Sequence, residues 1–106
     1  MNQIPYEIRR KVYARALAVN GLNAQLVVAV EELSELQKEI CKLLRGKGIA
    51  AHLAEEIADA TIMLEQLRLF LDVNDEVCRQ MDAKVNRLAE KVFNVEEAEA
   101  NEMDNC

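Results

Sequence analysis

Apolar positions recur along this chain at helical spacing in stretches separated by short polar breaks, and each stretch reads as one helix. The first is expected from Pro5, which suits an opening turn, to about Ala18, with Ile8, Val12 and Ala16 beside Tyr13 on one side. Asn20-Gly21 ends it, because glycine tolerates a left-handed backbone. A second helix is predicted from about Asn23, a residue able to cap its start, to Leu44. Around Leu33, the side chains of Leu26, Val30, Leu36, Ile40 and Leu44 fall within roughly 60° and mark an apolar stripe. Arg45-Gly46-Lys47-Gly48 breaks the pattern.

The third helix, from about Ala50 to Leu71, has Leu53, Leu64 and Leu71 within about 40° of Ile57. Ile62, Met63, Leu69 and Phe70 extend its apolar surface around most of the circumference. In so short a chain that surplus points to a partner subunit, since monomers avoid large exposed apolar patches. Asp72 to Asp75 reads as a turn in which Asn74 caps a fourth helix reaching about Phe93, its core face made by Val77, Met81, Val85, Leu88 and Val92.

Composition narrows the class. A chain of 106 residues, 51% hydrophobic and 30% charged, is long enough for one core and too short for two. Three glycines, one proline and four aromatic residues favour helices over sheets. The expectation is an all-α fold with a single domain over residues 1–93, followed by an acidic, frayed tail over residues 94–106. A net charge of −6 speaks against sequence-independent binding to a nucleic acid polymer, although a single nucleotide is compatible if metal ions offset the repulsion. Cys41, Cys78 and Cys106 are odd in number and lack CxxC spacing, and no signal peptide is evident, which suits a reduced, cytoplasmic setting. No apolar run approaches the ~18 residues of a membrane span.

The chemistry concentrates in Glu31-Glu32-Leu33-Ser34-Glu35 and in Glu56-Ile57-Ala58-Asp59. Measured from Leu33, Glu32 lies near −100° and Glu35 near −160°; measured from Ile57, Glu56 and Asp59 take the same two angles. Both pairs start beside an apolar stripe, where side chains of packed helices meet. Carboxylates gathered there repel one another and lose hydration, so they need cations or protons, and hard divalent ions with oxygen ligands answer that need.

Other positions allow two readings. Gln25, two turns before Glu32 on the same side, is either a surface residue or a donor to a base or sugar. Arg45 and Lys47, with Lys42 nearby, make either a mobile loop or a lid facing phosphates; the GxxxxGK[ST] phosphate loop is absent. Arg9, Arg10, Lys11 and Arg15 form a solvated face or meet a phosphate or acidic neighbour, and His52 suits a helix start or surface. Lys84, Arg87 and Lys91 form a basic ridge, solvated or holding phosphate oxygens through Lys84 and Arg87.

The EExxE run at Glu31 to Glu35, the ExxD at Glu56 to Asp59, the gap between them and the KxxR at Lys84 to Arg87 together resemble the MazG-like nucleotide pyrophosphohydrolases. The similarity covers about residues 20–92 and is nearest to the short, single-domain bacterial and phage members. It implies a four-helix bundle-like fold whose helices pack across subunits in a homodimer or homotetramer. The implied activity is cleavage of a (deoxy)nucleoside triphosphate to monophosphate and pyrophosphate, a reaction that suits nucleotide-pool housecleaning. The resemblance makes Glu32, Glu35, Glu56 and Asp59 ligands of Mg²⁺, with Mn²⁺ as a substitute, and gives Glu31 and Glu35 a part in activating water. It makes Lys84 and Arg87 phosphate contacts.

Three readings compete with it. A helical interaction protein would expose its glutamates and pair them with Lys38 and Lys42. A sensor would bind nucleotides without turnover. A carboxylate-bridged di-iron bundle needs Glu-x-x-His pairs, and the single histidine is His52.

Overall fold

A computed structural model describes residues 3–93, which form α-helices and no strand. The elements are α1 (Tyr6–Asn20), α2 (Leu22–Leu44), α3 (Ala50–Phe70) and α4 (Asn74–Phe93). The expected acidic tail lies outside the described residues. Two compact units divide between Leu71 and Asp72, so that α1, α2 and α3 belong to one and α4 to the other. Among the described residues, no helix is long and apolar enough to cross a membrane.

Backbone chemistry sets the breaks. Gly21 has φ 85° and ψ 158°, a conformation that only glycine adopts easily, and its N–H donates to the Leu17 carbonyl at 2.8 Å. This lets α2 start at Leu22, ahead of the expected Asn23 cap. At the other end, Gly46 takes φ 73° and donates to the Leu43 carbonyl at 3.0 Å, while Lys47 donates to the Lys42 carbonyl at 2.9 Å. Two of the carbonyls left over at the helix end are thereby satisfied without any side chain.

The pairing of α2 with α3 dominates the first unit, and it differs from the one the apolar stripes suggest. Buried positions on the two helices are Gln25, Ala29 and Glu39 facing Ala60, Met63 and Gln66. With the half-buried Glu32, Leu36, Leu53, Glu56, Leu67 and Phe70, all but Gln66, which sits beside the seam, follow alternating steps of three and four residues, the spacing of an antiparallel coiled-coil seam. The predicted stripes lie one residue further round each helix. Leu33, Ile40, Ile57, Leu64 and Leu71 share one flank of the pair and are 40–47% exposed. Leucine and isoleucine there are thus not the core of a single chain; the seam is built of small and polar residues, and the oily flank beside it is open.

On α1 the inward residue is Tyr13, while Ile8 and Val12 are exposed. The Tyr13 hydroxyl donates to Glu65 Oε2 at 3.1 Å, and Arg9 Nε donates to the same oxygen at 3.2 Å. One of the α1 cations thus meets an acidic neighbour. Burial, and then the Glu65 carboxylate, push the Tyr13 hydroxyl above its usual pKa.

Considered by itself, α4 has Asp75 and Glu76 in its first turn and Lys91 in its last, which matches the helix dipole. Glu76 accepts from Arg79 Nε at 2.9 Å and from Gln80 Nε2 at 2.9 Å. The expected core face is not covered: Val85, Leu88 and Val92 are exposed.

Candidate metal centre

One antiparallel register joins Gln25 to Gln66, Glu32 to Asp59 and Glu39 to His52, each pair seven residues on from the last. Seven residues are two helical turns, so polar pairs recur at roughly 10 Å intervals along the seam. The three levels do different things.

At the level nearest α1 the amides satisfy one another. Gln25 Nε2 donates to Gln66 Oε1 at 2.8 Å, and Gln25 Oε1 accepts from Asn20 Nδ2 at 3.1 Å. The Gln66 amide N–H reaches Met63 Sδ at 3.5 Å. Gln25 is 6% exposed. The expectation of a surface residue is therefore corrected: Gln25 is buried and both ends of its amide are bonded, and a buried amide with partners specifies which turn of α2 faces which turn of α3.

At the middle level Glu32, Glu56 and Asp59 each offer an oxygen, and these atoms lie within 4.8 Å of one another. All three side chains are half-buried. Burial first, then the charges of Asp59, Glu35, Glu55 and Glu39, raise the pKa of Glu56. Glu32 is also raised, by burial and then by Asp59, whose carboxyl lies within hydrogen-bonding reach. Glu56 Oε2 is buried and has no hydrogen-bond partner. A charged oxygen taken from water and given nothing in return costs free energy, unless a proton or a cation supplies the missing contact. An all-oxygen donor set of this kind fits a hard divalent ion.

The third level is neutralised from within. Glu39 is only 7% exposed, and its Oε2 meets Lys42 Nζ at 2.9 Å. His52 Nδ1 stands 4.0 Å from the other oxygen, at the start of α3. The hydrogen bond from Lys42 leads the factors that hold Glu39 below the ordinary carboxyl pKa. Glu39 sits one turn of α2 beyond Glu35, and both charges act on Glu56.

Of the four expected ligands, three converge. Glu35 does not join the group; it is exposed, although its charge reaches Glu56. Glu31 is exposed as well and its charge acts on Glu32. Arg45 and Lys47 are exposed in the turn after α2, and Lys84 and Arg87 are exposed on α4, in the other unit. Glu39 and Gln66 were missed. The seven-residue spacing of Gln25, Glu32 and Glu39, mirrored by His52, Asp59 and Gln66, was the signal that marks them. No protein-family model, curated protein or solved structure matches the chain.

Proposed function

We propose that the chain is a Mg²⁺-dependent nucleoside triphosphate pyrophosphohydrolase of the MazG-like type, releasing nucleoside monophosphate and pyrophosphate. The observation that carries this reading is the buried, unpartnered Glu56 Oε2 within a group of three carboxylates whose oxygens lie within 4.8 Å. A structural cluster of acids would be expected to bring its own lysine or arginine, as Glu39 does with Lys42. This one has like-charged neighbours instead.

Glu32, Glu56 and Asp59 would hold the metal, and Glu35 would join them or act beside them, on the flank opposite the oily one. When bound, Mg²⁺ supplies Lewis acidity toward water and offsets charge on phosphate oxygens, which is most of what phosphoanhydride hydrolysis requires. Glu31 and Glu35, both in contact with solvent, are the candidate groups to take a proton from the attacking water. The resemblance assigns phosphate contacts to Lys84 and Arg87.

The oily flank supports the expected homodimer or homotetramer. Its leucines and isoleucines are about half exposed, and covering each would contribute on the order of 1 kcal/mol. Light scattering during gel filtration would show a dimer or tetramer, and a monomer at micromolar concentration would remove this part of the proposal.

The catalytic test is a panel of canonical and modified nucleoside triphosphates with Mg²⁺ or Mn²⁺, scored for monophosphate and pyrophosphate. Release of pyrophosphate supports the enzyme. Tight binding without turnover replaces it with a nucleotide sensor, and neither result leaves a helical interaction protein.

A further inference from the structure

The carboxylate group has two ends along the seam, and they are not equivalent. Toward α1 the next level is closed: Gln25, Gln66 and Asn20 bond to one another, and Gln25 and Gln66 are buried. No charged donor stands among these amides to attract an anion. Toward the α2–α3 turn the next level presents an ammonium. Lys42 Nζ is fixed by Glu39 at 2.9 Å, and its side chain remains 35% exposed. An ammonium has three N–H donors and Glu39 accepts one, so two are left for a ligand.

Burying Glu39 at a seam position is costly unless something is gained from it. Its carboxylate holds a lysine that would otherwise sweep freely through solvent. The flank containing Lys42 also contains Glu35, Asp59 and the exposed His52, so it is the flank on which the carboxylate group opens. Arg45 and Lys47 follow in the turn. Cations also stand at the α1 end, where Arg9 is paired with Glu65, but at the next level along the seam itself the ammonium of Lys42 lies only on the side of the α2–α3 turn.

The geometry points to Lys42 as the contact for the distal phosphates of the substrate, with Glu39 as the residue that positions it. The polyphosphate chain then runs from Glu32, Glu56 and Asp59 toward the α2–α3 turn, and the departing pyrophosphate leaves at that end. About 10 Å of helix axis separates the Glu32 level from the Glu39 level, a span that an extended triphosphate covers. This inference rests on the pyrophosphohydrolase reading and adds the direction of the substrate and one residue to it.

The test measures binding of inorganic tripolyphosphate and of orthophosphate, each with Mg²⁺, by calorimetry, and KM and kcat for the best nucleoside triphosphate of the panel. Lys42→Ala should weaken tripolyphosphate about tenfold, as expected for loss of one charge-assisted hydrogen bond. It should raise KM more than it lowers kcat, leave orthophosphate and Mg²⁺ affinity unchanged, and keep the helical circular dichroism. Lys42→Arg should recover most of the loss. Lys38 is the control, an exposed lysine one turn earlier whose charge also reaches Glu39. Lys38→Ala should change tripolyphosphate affinity less than twofold. Equal losses in the two alanine variants would show diffuse attraction and overturn the inference, as would an unchanged Lys42→Ala. If the unmodified protein turns over nucleotides while Lys42→Ala behaves like it, this inference falls alone. If the unmodified protein neither turns over nucleotides nor binds tripolyphosphate, the functional reading falls with it.

Discussion

Glu39 and Glu56 lie on the same seam, and their carboxyls are pulled in opposite directions. Glu39 meets Lys42 at 2.9 Å and is held below the ordinary carboxyl pKa of 4.5. Glu56 has an oxygen with no partner, and burial with neighbouring acids holds it above the same value. The fold can therefore neutralise a seam carboxylate, since it does so within a turn of the other. Glu56 is instead left without a counter-charge from the chain, the condition under which a proton or an external cation would supply the missing contact.

The strongest way to break this comparison is to remove the unneutralised side. Glu56→Ala and Asp59→Ala should each lower turnover by at least about 100-fold with helical content intact, measured by pyrophosphate release and far-ultraviolet circular dichroism. Loss of the fold in these variants would instead make the group structural. Next in size is the response to metal. At a hundredfold excess over its dissociation constant, Mg²⁺ should stabilise the protein by about 2.7 kcal/mol, seen as a rise in Tm. Glu56→Gln should lose most of that rise, whereas Glu39→Gln should keep it.

Acidity sharpens the contrast, because the two levels have opposite signs. Glu32 and Glu56 have raised pKa values in the folded protein, so folding binds protons in that interval. The stability they contribute is present below the ordinary carboxyl value of 4.5 and is lost as the pH rises through their folded values. Glu39 is lowered; its contribution is present above 4.5 and is lost as the pH falls through its folded value. Without metal at neutral pH, Glu56→Gln should raise Tm by a few degrees and Glu39→Gln should lower it by a similar amount. Melts followed from acid to neutral pH would show both, and shifts of the same sign would remove the distinction. The smallest effect is expected on α4, where Lys84→Ala should raise KM severalfold while Mg²⁺ affinity stays constant. Unchanged kinetics would make the basic ridge a solvated face.

Much of the helical architecture was legible in the residues. Asn20-Gly21, Arg45 to Gly48 and Asp72-Val73 separate the helices near where expected, because glycine and turn residues act locally, although α4 already includes the expected cap Asn74 and its first accepting carbonyl is that of Val73. The convergence of Glu32, Glu56 and Asp59 was also legible, since angles measured around a helix survive into the fold. What the pattern misassigned was the core. Leu33 and Ile57 read as inward-facing because they are the most apolar positions, yet the chain buries Ala29, Ala60 and paired glutamines between α2 and α3. Hydrophobicity alone cannot tell a face packed within one chain from one left for another surface. Glu39 escaped notice for a related reason: a glutamate followed three residues later by a lysine looks like any exposed helical pair.

The turn between α2 and α3 acts as a spacer gauge for everything above it. Gly48 passes so near Leu43 that a methyl group there would overlap the leucine side chain. A larger residue needs the half-exposed Leu43 side chain to turn away; where the backbone shifts instead, a rigid rod started from a displaced foot carries the error to its far end. Glu56 and Asp59 would then present themselves to the wrong rung of the opposite helix. A hydrogen atom in place of a methyl, eight residues before the nearer of them, lets the chain turn this closely over Leu43 with nothing displaced.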